Sequence, residues 1–423
     1  LWYAGGAGTV AASIETTRVT SVVKKTTQRM KTLGQQKQWL QALALLETLK
    51  AQTVAPTAVT CAVLVKCCGG QDGKAEEIFE EMLRRRVQPD VFTYSALIGA
   101  CSRGSDFDAA MRHFREMEAM KIQADVTSFS ALLSACEKSQ RPVSEATEIF
   151  QSMKFQQVSP NHVTYSSLIS CCEKSSEVDL AWSYFREMTQ QSLEMDAIVY
   201  NAMISACEKG RQAPEAIELL EEMRTQEVRA NVITFNAVIS ACEKGRMADK
   251  AWEIFQRMPE TSVEADLCTY NALISAAEKC RKTDMALRAF QELQVHRLQA
   301  DLITYNALIS ACRASSPELA HHFFEAMQSR RLQADVISYI SLGVLPQEML
   351  SLDDLDVRSF TVMIRQRDVT DVLKLYEEMQ LRGLQMDGPS YWALLCAVDD
   401  DAPRCVQLCE GLRRRWLRTA QHW

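Results

Sequence analysis

The stretch Val232–Gly245, VITFNAVISACEKG, is one of four near-copies in a row. AIVYNAMISACEKG begins at Ala197, LCTYNALISAAEKC at Leu267 and LITYNALISACRAS at Leu302, so the starts are 35 residues apart. A fixed period of this size overrides any domain count taken from length, because each unit packs only on its neighbours. In the unit beginning at Val232, Phe235, Val238, Ile239 and Cys242 fall on the i, i+3, i+4, i+7 stripe of an amphipathic helix. Thr234 is the expected N-cap and Gly245 stands where that helix should end. A second stripe, Ala251, Ile254, Phe255 and Met258, stops at Pro259, which cannot continue a helix. Neither short helix can bury its stripe alone, and stacking of helix–turn–helix units buries both.

Counting outward gives units at 91–125, 126–161, 162–196, 197–231, 232–266, 267–301 and 302–335. Upstream, 58–90 is a shorter copy and 23–57 a degenerate one whose second helix, WLQALALLETL, is clear. The expected organisation is an N-terminal segment at 1–22, a repeat array at 23–335, a degenerate repeat or loop at 336–356, and a truncated repeat with a C-terminal cap at 357–423. The fold class is all-α, an α-solenoid of 35-residue repeats.

Hydrophobic residues make up 47% of the 423 and charged residues 24%, as in an ordinary water-soluble protein. There is no apolar run of the roughly 18 residues a membrane span needs. Residue 1 is Leu rather than Met, so the natural start, with any targeting peptide, is expected upstream. The net charge of −7 argues against indiscriminate nucleic-acid binding, though not against a local basic stripe. Cys101, Cys136, Cys172, Cys207, Cys242 and Cys312 share one place in the repeat. Equivalent points on stacked helices lie about 8–10 Å apart, too far for a disulfide. These thiols are expected to be small buried fillers in a reducing compartment.

The period of 35, the YNALI opening, the A-x-x-x-F-x-x-M of the second helix and the closing A-D resemble the pentatricopeptide repeat family over residues 23–387. The resemblance implies a right-handed superhelix that binds single-stranded RNA, one base per repeat. It further implies that the fifth and last residues of each unit read one base edge. Those pairs are Ser95 with Asp125, Ser130 with Asn161, Ser166 with Asp196, Asn201 with Asn231, Asn236 with Asp266, Asn271 with Asp301, and Asn306 with Asp335. In the family's code they correspond to 5′-GAG-(C/U)-UUU-3′. The second-place residues Phe92, Val163, Ile198, Ile233 and Ile303 would sandwich the bases, with Thr127 and Cys268 as exceptions in that column.

The fifth place is expected to face outward, off the apolar stripe, and Asn there carries both a donor and an acceptor. The thirteenth place holds Arg103, Lys138, Lys174, Lys209, Lys244 and Lys279, a ladder that could contact the RNA backbone. Six neutralised phosphates would give a slope of log K against log[salt] of roughly −4, from about −0.7 each. Bland readings exist for each column: the last-place Asp as a cap for the next helix, the lysines as complements of a helix dipole, and the second place as packing between units.

No cofactor or metal set is legible, and no phosphate-binding loop. His321 and His322 lie inside a repeat helix without partner cysteines, Cys405 and Cys409 are spaced C-x-x-x-C, and the acidic run LDDLD at 352–356 reads as a solvated loop. The expectation is a monomeric, non-enzymatic RNA-binding protein of a mitochondrion or chloroplast, with protein partners in RNA metabolism. The competing reading is a protein-binding solenoid scaffold, whose groove would not need Asn or Ser at the fifth place.

Overall fold

The computed structural model describes residues 23–36, 38–51, 56–68 and 73–342, with Met379, Leu381 and Leu384 beyond them. The expectations for 1–22, for most of 336–356 and for the recovered repeat and cap at 357–423 lie outside the described residues.

The described units are pairs of helices, the last of them represented by its first helix alone. The first is α1 (23–35) with α2 (Trp39–Ala51), followed by α3 (Ala58–Cys68) with α4 (Lys74–Arg84) and α5 (Val91–Arg103) with α6 (Phe107–Ala119). The series continues through α7 (Val126–Lys138) and α8 (Val143–Phe155), α9 (His162–Ser175) and α10 (Val178–Gln190), α11 (Ala197–Lys209) and α12 (Ala213–Thr225), and α13 (Val232–Lys244) and α14 (Ala248–Arg257). It closes with α15 (Leu267–Lys279) and α16 (Thr283–Val295), α17 (Leu302–Arg313) and α18 (Pro317–Ser329), and α19 (Val336–Leu342). The region expected to be a degenerate repeat or loop therefore opens as a further first helix, capped like the others: the Asp335 carboxylate accepts from the Ser338 amide at 2.8 Å.

The chain divides into two compact units, Leu1–Ala237 and Val238–Trp423. In the first, α3, α5, α7, α9 and α11 form one continuous layer, each odd helix packing on the next. The helices α4, α6, α8 and α10 back that layer, each touching its own partner and the odd helix that follows. In the second unit α15, α17 and α19 form the same kind of layer. Both units are α-solenoids.

The core repeats like the sequence. The fourth place of the first helix is a fully buried ring: Tyr94, Phe129, Tyr165, Tyr200, Tyr270 and Tyr305. Each of these meets a Phe on the preceding second helix edge-on, as at Phe114–Phe129 with centroids 5.1 Å apart, Phe185–Tyr200 at 5.9 Å and Phe290–Tyr305 at 6.0 Å. Such pairs add about 0.5–1.5 kcal/mol to the area they bury, and they set the register of one unit on the next. The repeated cysteines are buried or half-buried with free thiols, and no disulfide occurs among the described residues. Burial pushes the Cys242 thiol up to about 11 and those of Cys172 and Cys207 up to about 12.

Two expectations about helix ends are corrected. Thr234 is the third residue of its helix, and the cap is the residue closing the previous unit, Asn231, whose Oδ1 accepts from the Thr234 amide at 3.0 Å. Nor does glycine supply the left-handed residue that ends the first helix. Gly210 has φ −77°, and the next residue, Arg211, takes φ 58°. Arg246 and Arg281 do the same at 55° and 56°. Gly210 answers a different need: a Cβ there would stand 2.7 Å from Cγ2 of Val178.

Candidate nucleic-acid interface

The last residue of each unit does two jobs at one place. Its backbone leaves the loop extended, and its side chain caps the first helix of the next unit. Asp90, Asn161, Asp266 and Asp301 form full capping boxes, in which the third-place Thr returns a bond to the cap's own amide. A box of this kind satisfies two of the amides that every helix start leaves orphaned. The bland reading of the last place as a cap is thus a structural fact, and it also fixes the carboxylate in space.

The fifth-place side chain reaches that cap. Asn271 Nδ2 donates to both carboxylate oxygens of Asp301, at 3.2 and 3.3 Å, and Asn306 Nδ2 donates to Asp335 at 3.1 Å. In the serine units, Ser95 Oγ lies 3.2 Å from the Asp125 carboxylate and Ser130 Oγ lies 3.3 Å from Asn161 Oδ1. Four of the sequence-expected pairs are therefore in direct contact. For Asn201 and Asn231 the link is indirect, through Thr234, whose hydroxyl lies 2.6 Å from the Asn201 carbonyl and 3.1 Å from that of Asn231. Ser166 and Asn236 are half-buried at the equivalent place in their helices.

The fifth place does not face freely outward as expected. Ser95, Ser130 and Asn306 are only 6–9% exposed, tucked between consecutive first helices. The residue that holds them there was missed in the sequence: the third-place hydroxyl of the following unit. Thr304 Oγ1 lies 2.6 Å from Asn271 Oδ1, Ser338 Oγ lies 2.6 Å from Asn306 Oδ1, and Ser128 and Ser95 share a bond of 2.8 Å. These hydroxyls are fully buried and stand where the sequence suggested only a cap. Their effect is orientation. An Asn whose carbonyl faces a hydroxyl must aim its amide at the carboxylate, which leaves one Nδ2–H and one carboxylate oxygen edge for a ligand.

Three residues before each fifth place, on the same helix face, stands the second-place residue. These side chains are exposed, from 39% at Val163 to 65% at Phe92, with Ile198, Ile233 and Ile303 between. Packing between units does not explain them, since they touch solvent. A recurring apolar side chain beside a recurring donor–acceptor pair is a surface suited to flat, hydrogen-bonding rings.

The thirteenth-place ladder is largely occupied by its own protein. Lys174, Lys209 and Lys279 pair with the twelfth-place Glu of the preceding unit, Glu137, Glu173 and Glu243, at 3.2, 2.6 and 2.6 Å. Arg103 donates to the Lys66 carbonyl. Lys138 is exposed and makes no ion pair among the described residues. Three of the six expected cations thus form inter-repeat bridges, which cancel part of the stripe's field.

Family models agree with this architecture. The pentacotripeptide-repeat region of PRORP matches 93–196, the pentatricopeptide repeat domain 183–245, the PPR repeat family 70–103, 230–277 and 265–314, and the PPR repeat 303–332. Together they run without a gap from 70 to 332, more than half of the chain. A chloroplastic pentatricopeptide repeat-containing protein of Arabidopsis thaliana is 36% identical over 91 residues, 21% of this chain and 19% of that relative. The maize pentatricopeptide repeat protein PPR10, solved with an 18-nucleotide psaJ RNA element, aligns at 22% identity and a TM-score of 0.49, covering 93% of this chain and 64% of its own. Yeast Rmd9p, solved with a 16-nucleotide target RNA, aligns at 13% identity and a TM-score of 0.38, covering 93% and 88%.

Proposed function

The chain belongs to the pentatricopeptide repeat family, and on that premise we propose that it binds single-stranded RNA in a sequence-specific way, one repeat to one base. The observation that carries the reading is the contact between fifth and last residues, repeated at the same place with an exposed apolar side chain beside it. The chemistry fits the code. In the Asn271–Asp301 unit the remaining Nδ2–H is a donor and the carboxylate an acceptor, complementary to a uracil carbonyl and its N3–H. In the Ser95–Asp125 unit the short hydroxyl leaves room for a purine whose N–H groups meet the carboxylate. The ordered pairs then read 5′-GAG-(C/U)-UUU-3′, and Phe92, Val163, Ile198, Ile233 and Ile303 lie between successive bases.

The protein acts by occupancy: it covers, exposes or delivers a short site in organellar RNA processing, stability, editing or translation, as a monomer together with protein partners in RNA metabolism. The localisation we propose is a mitochondrion or chloroplast; the chloroplastic setting of the Arabidopsis relative supports an organelle.

The test is a competition titration with seven-base RNAs differing from GAGUUUU at one position each. Loss of affinity at the base assigned to each unit supports the code. Equal, weak binding of every RNA removes it and favours a protein ligand on the same face.

A further inference from the structure

One side chain breaks the apolar pattern of the second helices. Counting from the recurring Ala of each second helix, the place held by His113 is Ile149, Tyr184, Leu219, Ile254 or Ala289 in the units that follow. His113 is nevertheless buried, its side chain 8% exposed. The place held by Glu76 is Met111, Thr147, Trp182, Ile217, Trp252, Leu287 or His321 elsewhere, and Glu76 is its one carboxylate. The two side chains face each other: His113 Nε2 lies 3.4 Å from Glu76 Oε1. Cys101 completes the group, and the ligand atoms of all three lie within 4.8 Å of one another. Cys101 belongs to the repeated cysteine column and needs no special account, but its two companions do.

The opposite ring nitrogen is held as well. His113 Nδ1 lies 3.1 Å from Glu116 Oε2. A neutral imidazole has a single N–H. With that N–H donated to Glu116, Nε2 turns its lone pair toward the Glu76 carboxylate and the Cys101 sulfur, so three donor atoms converge on one point. The ring is held edge-on by Phe79, at 5.9 Å between centroids.

We propose that Glu76, Cys101 and His113 bind a zinc ion, with Glu116 orienting the histidine from behind. Sulfur, imidazole and carboxylate together form the borderline-soft set that zinc prefers, and a carboxylate on the distal nitrogen is the usual support of a metal-bound histidine. A tetrahedral zinc with bonds of about 2.0–2.3 Å needs ligand atoms ~3.3–3.8 Å apart. The Glu76–His113 edge already has that spacing, and the Cys101 edges are at most 4.8 Å. Water takes the fourth position. The ion would join α4 of one unit to α5 and α6 of the next, a staple near the N-terminal end of the described array.

The test uses the full chain with cobalt(II) as the spectroscopic probe and zinc as competitor. One equivalent of cobalt should give a thiolate-to-cobalt absorption in the near ultraviolet, and zinc should displace it. Cys101→Ala and His113→Leu are substitutions the fold already accepts, since Ala277 and Leu219 occupy those places in other units. Cys101→Ala should abolish the absorption, His113→Leu should abolish stoichiometric binding, and Glu116→Gln should weaken it by roughly 10–100-fold. Zinc should raise the unfolding midpoint of the parent chain and leave the Cys101→Ala chain unmoved. Failure of the parent chain to bind either ion overturns the proposal, and His113 is then held by its contacts with Glu76 and Glu116 alone. A thiolate absorption that survives in Cys101→Ala overturns it as well.

Discussion

Replacing Asp301 separates the two jobs of the last place. Its Oδ1 accepts from the Thr304 amide at 2.9 Å and lies 2.8 Å from the Thr304 hydroxyl, while Asn271 donates to it at 3.2 Å. Asp301→Ala removes a helix cap, about 1 kcal/mol. It also takes an acceptor from a fully buried hydroxyl and from the Asn271 amide, about 1 kcal/mol more. The expected loss is ~2 kcal/mol. Asp301→Asn keeps an Oδ1 in the same place and forfeits only the charge at the helix N-terminus, about 0.3–1 kcal/mol. In RNA binding the order reverses in kind: the Asn variant keeps its affinity but loses its preference for uracil over cytosine, by roughly tenfold, or about 1.4 kcal/mol. Urea denaturation followed by far-ultraviolet circular dichroism measures the first effect, and a competition titration with U- and C-containing RNAs the second. An Ala variant that loses less than about 0.5 kcal/mol, or an Asn variant as unstable as the Ala one, would refute the capping account.

Ile198→Ala and Ile233→Ala, both at exposed second places, should leave stability within about 0.5 kcal/mol and weaken RNA binding by about 1 kcal/mol each; fluorescence anisotropy and thermal melts read the two separately. Cys268 occupies the same column and is exposed, while Cys172, Cys207 and Cys242 are buried. Iodoacetamide should therefore label Cys268 ahead of those three, and a uracil-rich cognate RNA should protect it, as peptide mass spectrometry would show. Glu137→Gln, Glu173→Gln and Glu243→Gln together release three lysines from their bridges. The salt slope of RNA binding should then steepen by about 2, from ~0.7 per phosphate; an unchanged slope would place those lysines away from the RNA. Burial raises the Cys172 and Cys207 thiols to about 12. A raised acid keeps its full contribution to stability below the unfolded-state value near 8.5 and loses it as pH climbs toward the folded one. Stability should therefore fall from about pH 9 upward, and Cys172→Ala with Cys207→Ala should flatten that fall in urea titrations at pH 8 and pH 10.

The repeat made the fold legible, because packing demands the same residue at the same place in every unit. The stripe Phe235, Val238, Ile239 and Cys242 is buried as its spacing implied, and so is the second stripe of Ala251, Ile254, Phe255 and Met258. The contact between fifth and last residues was legible too in four of the seven expected pairs. Their setting was not, because the residue that orients them lies in the next unit: Thr304 acts on Asn271 across 33 positions of sequence. The same distance hid the partners of the lysine ladder, since Glu243 and Lys279 are 36 residues apart. His113 escaped notice for a related reason. Its partner Glu76 is 37 residues away, in the unit before, and no short metal motif joins residues that meet only when helices stack.

The base-reading claim is tested most directly by titrating labelled GAGUUUU, GAGCUUU and a shuffled RNA against the parent chain and against a variant carrying Asn236→Ser, Asn271→Ser and Asn306→Ser. The account predicts tight, selective binding by the parent and a shift of preference in the variant from uracil toward guanine at the last three bases. Weak binding of all the RNAs alike, or a variant that keeps its taste for uracil, would contradict it.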